Sequence, residues 1–365
     1  MPRTYRAAVL PAPGAPLRLE ERPAPDLAPG AVLLHVLLSE VCGTDVHLRH
    51  GRLAGVPYPL IPGHVSVGTV AALRGEARDV DGVAFREGDV AAFLDVHGTC
   101  GACHACLVDK ETTRCPHRRV YGITFPGDGG LHGGWAEAMH LLPGTKLLRL
   151  PDGLPPETYM AGGCGLNTAF HAVERAALRL GDAVVVLGAG AVGQSAVAFA
   201  ALCGADPVVA VGAPDERLAT ARRMGATHTL SIEALSPGER LDAVRALTHG
   251  RGADAVIEAA GAPEAVVQGA ALCRDGGTLV VAGQYTDNGP ALWPVHELLN
   301  RKHLTVRAVW GSDFSHFYKS IGVLARHHAR IPWRDLVTAR YPLDQCDAAL
   351  DAVERRTALK ALIAP

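Results

Sequence analysis

Apolar positions along the chain fall into two textures. Up to about residue 150 they form short runs of strand length, 31–37, 67–72 and 89–94, divided by turn dipeptides rich in Gly and Pro. That is the pattern of a small, irregular β domain. From Gly181 the runs alternate in kind. Ala183–Leu187 reads as a strand buried on both faces, 192–203 as an Ala-rich helix and 207–211 as a second strand. Residues 215–224 and 264–272 read as helices, and 254–258 and 277–282 as strands. Strands alternating with helices of 10 to 12 residues predict a parallel sheet with helices on both faces. Beyond about residue 310 the pattern mixes again, with helices predicted at 315–327 and 345–355.

Composition narrows the class. A chain of 365 residues is long enough for two domains. Hydrophobic residues at 48% and charged residues at 20% exclude a mostly disordered chain. A formal charge of -2 gives no reason to expect a nucleic acid or an anionic membrane as partner. The longest apolar stretches, 183–187 and 195–203, stop far short of the roughly 20 residues that a membrane span needs. The N-terminal residues lack a secretory hydrophobic run, so a soluble, cytoplasmic location is expected.

The strand Ala183–Leu187 leads into Gly188-Ala-Gly190-Ala-Val192-Gly193, a G-x-G-x-x-G turn that opens a helix. In that setting the first Gly permits a tight turn and the second lets a pyrophosphate approach the backbone. The third lets the helix pack on the strand, while the helix N-terminus supplies amide donors and positive dipole. A nicotinamide dinucleotide is the expected ligand. The acid that reads the adenosine ribose belongs near the end of the second strand, where Gly212 stands. No Arg or Lys lies in 212–216 to bind a 2'-phosphate, and Asp215 can still reach the ribose. NAD is favoured over NADP.

Nine cysteines, an odd number, argue against a disulfide framework. Cys100, Cys103, Cys106 and Cys115 fall within sixteen positions and offer four thiolates in one loop, which suits a closed structural zinc site. Redox chemistry through C-x-x-C is the rival reading. A second, dispersed set comprises Cys42, His64 and Cys164. Two thiolates and an imidazole, with room for water or substrate, are the donor set of an open, catalytic zinc.

In order along the chain stand C-G-T-D-x-H at 42–47, P-G-H at 62–64, E-G-D at 87–89, the four-cysteine loop, G-G-x-A-E at 133–137, Cys164 and the glycine loop at 188–193. This series resembles the zinc-dependent medium-chain alcohol dehydrogenases nearly end to end. The resemblance implies a Rossmann doubly wound parallel sheet inserted into a GroES-like β-rich catalytic domain. The catalytic domain would occupy 1–165, with the structural-zinc loop at about 97–118. The Rossmann domain would occupy 166–310, and 311–365 would return to the catalytic domain.

Two zinc ions per chain are implied, one catalytic on Cys42, His64 and Cys164 and one structural. Asp45 would orient His64. Thr44 and His47 would relay the proton of a zinc-bound alcohol as its alkoxide gives hydride to the nicotinamide. Thr168 would pack near the nicotinamide and Lys360 would meet the pyrophosphate. A small-molecule alcohol, secondary or cyclic, is the expected substrate, and a homodimer or homotetramer the expected assembly. The same residues leave open an NADPH-dependent aldehyde or ketone reductase, a zinc-independent quinone or enoyl reductase, and a non-catalytic nicotinamide-binding protein.

Two departures stand out. Relatives carry Glu after the zinc-binding His, whereas here Val65 follows His64, which predicts a more electropositive metal site. The four-cysteine loop is also one residue longer before Cys115 than expected. Val96, His97, Trp135, Trp310 and the aromatic stretch 310–318 are candidates for the pocket wall or a subunit contact.

Overall fold

The computed structural model describes residues 3–365. The chain divides into two compact units. One comprises 1–163, 313–325 and 337–365, and the other 164–312 and 326–336.

The first unit is built on a sheet of seven strands. In order these are Val337–Pro342, Lys360–Ala364, Val32–Val41, Ser66–Leu73, Val90–Phe93 and Leu147–Arg149, with Ala138–Leu141 also paired to Val32–Val41. The C-terminal strand is therefore hydrogen-bonded to a strand more than 300 residues earlier, with Leu362 opposite Glu40 and Ala361 opposite Val41. Leu33, Val41, Ile61, Trp135, Ala361 and Ile363 share one core cluster, and Val32, Leu34, Val70, Phe93 and Tyr121 another. The alternation of faces along a strand explains why neighbours in sequence serve different cores.

The second unit carries six parallel strands in the order His228–Ser231, Val208–Gly212, Val184–Leu187, Ala253–Glu258, Cys273–Val281, Thr305–Ala308. This is the doubly wound order of a dinucleotide-binding fold, with its reversal beside Val184–Leu187. The strand Val-Val-Val-Leu is buried at every position, as a central parallel strand covered on both faces must be.

The apolar pattern anticipates most of these elements. Helix Asp215–Met224 ends as its sequence indicates, with acids in the first turn, arginines in the last and Gly225 at φ 119° beyond it. Four helices escape the pattern, among them the short Gly43–Arg49 and His104–Leu107. Pro237–Leu247 is announced only by its cap, where Ser236 and Glu239 exchange hydrogen bonds with each other's backbone. Pro156–Ala176 contains Gly162, Gly163 and Gly165, a composition that reads as loop, and it is kinked at Gly163 (φ 51°, ψ -139°).

Candidate active site

Strand Val32–Val41 delivers Cys42 as the N-cap of helix Gly43–Arg49. The Thr44 N–H donates to Cys42 Sγ at 3.3 Å, and the Cys42 N–H donates to Asp45 Oδ2 at 2.9 Å. The cap thus fixes the thiol and Asp45 together. Thr44 and His47 are three residues apart, hence on one helix face, and both are half-buried. Burial, and after it the charge of Arg52, holds the His47 pKa below its usual value. His47 is therefore a neutral proton acceptor at neutral pH.

His64 is 4% exposed, and its Nε2 lies 3.9 Å from Cys42 Sγ. Asp45 was expected to orient it. Asp45 Oδ1 and His64 Nδ1 are both buried and without a hydrogen bond among the described residues, and the charge of Asp45 is among the causes that raise the His64 pKa. Burial opposes a charged His64, yet Cys42, Asp45 and Glu40 outweigh it and raise the pKa well above normal. Three acidic side chains around one imidazole make a site that attracts a cation.

Glu40 is the residue that sequence reasoning missed. One donor atom each from Glu40, Cys42, His64 and Cys164 lie within 4.8 Å of one another. Cys164 follows directly on the kink residue Gly163. Sulfur, nitrogen and oxygen donors at this spacing fit zinc. The expectation of a more electropositive site is overturned, because a carboxylate is present from another strand. Glu40 N–H donates to Val65 C=O at 3.1 Å, so the acid absent at position 65 stands across from it. A signal existed in the sequence: a lone Glu inside the largely apolar strand VLLHVLLSEV.

The Lys360 ammonium, 3% exposed, donates to Glu40 Oε2 at 2.5 Å. Cross-strand register explains the pairing. Leu362 opposes Glu40, and Lys360, two residues earlier, shares that face as its diagonal neighbour.

The second cysteine set is also brought together. The four Sγ atoms of Cys100, Cys103, Cys106 and Cys115 lie within 4.8 Å of one another. Cys103–Cys115 is 3.9 Å and Cys115–Cys100 3.7 Å, matching the ~3.8 Å edge of a tetrahedron with ~2.3 Å zinc–sulfur bonds. The Cys100 N–H donates to Cys115 Sγ and is the largest cause lowering that thiol to about 6, while burial raises Cys106 to about 12.

In the second unit each glycine of the loop has its own reason. Gly188 takes φ 113°, and a Cβ there would sit 2.7 Å from the Ala259 backbone. A Cβ on Gly193 would overlap the Gly188 carbonyl oxygen, whereas one on Gly190 would meet nothing within 4 Å. The open space at Gly190, before the N-terminus of helix Ala191–Leu202, suits a pyrophosphate. At Gly212 a Cβ would lie 2.8 Å from Ala189 Cβ, so packing against the loop favours glycine there whatever the cofactor. Asp215 is exposed at the start of its helix, and Thr168 Oγ1 donates to Cys164 C=O at 2.9 Å.

Of the pocket-wall candidates, Trp135 belongs to the core: it is fully buried, and its Nε1 donates to Glu40 C=O at 3.0 Å. Val96 is buried, and His97 is half-buried against Tyr121 and Phe125. Trp310 stacks on Tyr285 at 5.7 Å, Phe317 is buried, and exposed Tyr318 donates to Asp81. The aromatic stretch is thus split among separate local contacts.

A doubly wound dinucleotide fold joined to a β unit with two clustered metal-donor sets defines the class of a zinc-type oxidoreductase. Residues 28–152 match the alcohol dehydrogenase GroES-like domain, and residues 191–326 match the zinc-binding dehydrogenase family. The chain is 34% identical over 350 residues to 5-exo-hydroxycamphor dehydrogenase of Pseudomonas putida, covering 94% of each. It is 31% identical over 390 residues to an alcohol dehydrogenase of Cupriavidus necator, covering 100% of each. The crystal structure of an alcohol dehydrogenase from Thermotoga maritima superposes with a TM-score of 0.95 at 35% identity, covering 100% of both chains. The protein belongs to the zinc-dependent medium-chain alcohol dehydrogenase family. No described helix is long and apolar enough to cross a membrane.

Proposed function

We propose that this protein is an NAD-dependent dehydrogenase of a secondary or cyclic alcohol, with a catalytic zinc on Cys42, His64 and Cys164 and a structural zinc in the four-cysteine loop. The observation that carries the reading is the cluster of sulfur, nitrogen and oxygen donors, one of which, Cys42, caps the helix that bears Thr44 and His47. When bound, zinc would supply Lewis-acid polarisation of the alcohol oxygen, and the nicotinamide would accept hydride from carbon.

This chain's residues then have defined tasks. Thr44 Oγ1 accepts the substrate hydroxyl proton while passing its own to His47, whose neutral ring hands it to solvent. The backbone from Gly188 to Gly193 holds the pyrophosphate, Asp215 reaches the ribose, and Thr168 packs near the nicotinamide. The name of the Pseudomonas putida relative, a dehydrogenase of a hydroxylated camphor, supports a ring-bearing secondary alcohol. A homodimer or homotetramer is the proposed assembly, to be read by light scattering.

The test is elemental analysis of purified protein, followed by a panel of primary, secondary and cyclic alcohols with NAD and with NADP. About two zinc ions per chain and turnover of a cyclic alcohol are expected. A single ion that survives Cys42→Ser would sink the catalytic reading in favour of a zinc-independent reductase or a binding protein. Higher kcat/KM with NADP would reverse the cofactor assignment.

A further inference from the structure

The geometry points to Glu40 as a fourth protein ligand of the metal centre, with Lys360 as the positioning residue that restricts it to one donor oxygen. This inference rests on the zinc reading above and adds two residues to it.

The two carboxylate oxygens of Glu40 have different surroundings. Oε2 accepts the Lys360 ammonium at 2.5 Å, whereas Oε1 lies 3.6 Å from His64 Nε2, on the side of the metal donors. Glu40 supplies one of the four clustered donor atoms. An ammonium engaging the second oxygen of a carboxylate favours metal binding through the other oxygen. Charge supports the same conclusion. Glu40 is fully buried, and Lys360 nearly so. Two half-buried thiolates and a buried carboxylate against one ammonium leave two negative charges, which a divalent ion cancels. Without Glu40, Lys360 would leave the filled site positive.

Backbone geometry shows that the arrangement is built. Strand pairing places Lys360 diagonally across from Glu40 on one face. On the helix that leads to Cys164, Gly163 adopts φ 51°, where a Cβ would overlap Glu40 Oε2 and stand 2.9 Å from Lys360 Nζ. The chain thus omits a side chain at the point where this pair meets the backbone that carries the next ligand. With zinc bound, Glu40 would hold it through Oε1. Glu40 keeps its charge and its contact with Lys360.

The test uses Co(II) in place of zinc, since zinc itself gives no visible spectrum. The Cys42→Ser protein supplies the background spectrum of the four-cysteine loop. If it matches wild type in spectrum and metal content, the zinc reading itself fails. With that control passed, Glu40→Gln should change the visible Co(II) bands and weaken metal retention against a chelator by about ten- to a hundredfold. Because Glu40→Gln strands a buried ammonium, the deciding protein is the double variant Glu40→Gln, Lys360→Met, which removes both charges. If Glu40 is a ligand, the double variant keeps the altered spectrum and weakened retention. Wild-type spectrum and retention in the double variant would reduce the pair to a structural ion pair and overturn the proposal.

Discussion

Gly163→Ala should destabilise the protein far more than an ordinary glycine substitution at positive φ. Its backbone, at φ 51° and ψ -139°, lies where residues with a Cβ are strained, by about 1–3 kcal/mol. The added Cβ would also overlap Glu40 Oε2, stand 2.8 Å from Glu40 Cδ and approach Lys360 Nζ at 2.9 Å. Overpacking of this kind costs about 1–3 kcal/mol, and the buried pair cannot separate without exposing charge to an apolar interior. A total of about 4 kcal/mol is expected, which lowers Tm by on the order of 10 °C for a unit of this size. Gly153→Ala is the control. It has φ 81°, with nothing within 4 Å of an added Cβ, so it bears the backbone strain alone, about 1 kcal/mol. The assay is reversible urea unfolding of both variants, paired with metal content, since displacement of residue 163 should also dislodge Cys164. Equal stabilities within about 1 kcal/mol would refute the packing argument.

Other outcomes follow from the same geometry. Thr44→Ala should lower kcat/KM by about a hundredfold or more and change its pH profile; an unchanged profile would reject the relay. Cys103→Ser should release the loop ion only, reducing zinc from about two to about one per chain by elemental analysis. Gly190→Ala should leave Tm unaltered but weaken NAD binding by calorimetry, whereas Gly193→Ala should destabilise the fold through the Gly188 carbonyl. Stability should fall as pH drops from 6.5 toward 4. Burial, with His132 adding to it, holds His140 at about 4 in the folded chain. Over that interval the unfolded chain takes up a proton that the folded chain refuses. Urea unfolding at pH 7 and 4.5 should show the loss, about 1–2 kcal/mol after screening, and His140→Phe should remove it.

The sequence by itself determined the parallel sheet, because valine runs spaced by helices of 10 to 12 residues admit few other folds. It determined the glycine loop too, since strand, turn and helix N-terminus are consecutive. The four-cysteine cluster was legible for the same reason: all four thiols lie in one short segment, and the loop had only to fold on itself. Helix Pro156–Ala176 was hidden, because its glycines lower its local propensity, and one of them, Gly163, serves the close approach to Glu40 and Lys360.

Tertiary structure alone brought Glu40 and Lys360 to the donor cluster. Glu40 and Lys360 are 320 residues apart and meet only through the register of two paired strands. Nothing local in the sequence carries that register. Reading Val65 as a lost acid followed from treating a position as the carrier of a charge. In a sheet, the neighbouring strand can supply a carboxylate to a point in space as readily as the next residue does.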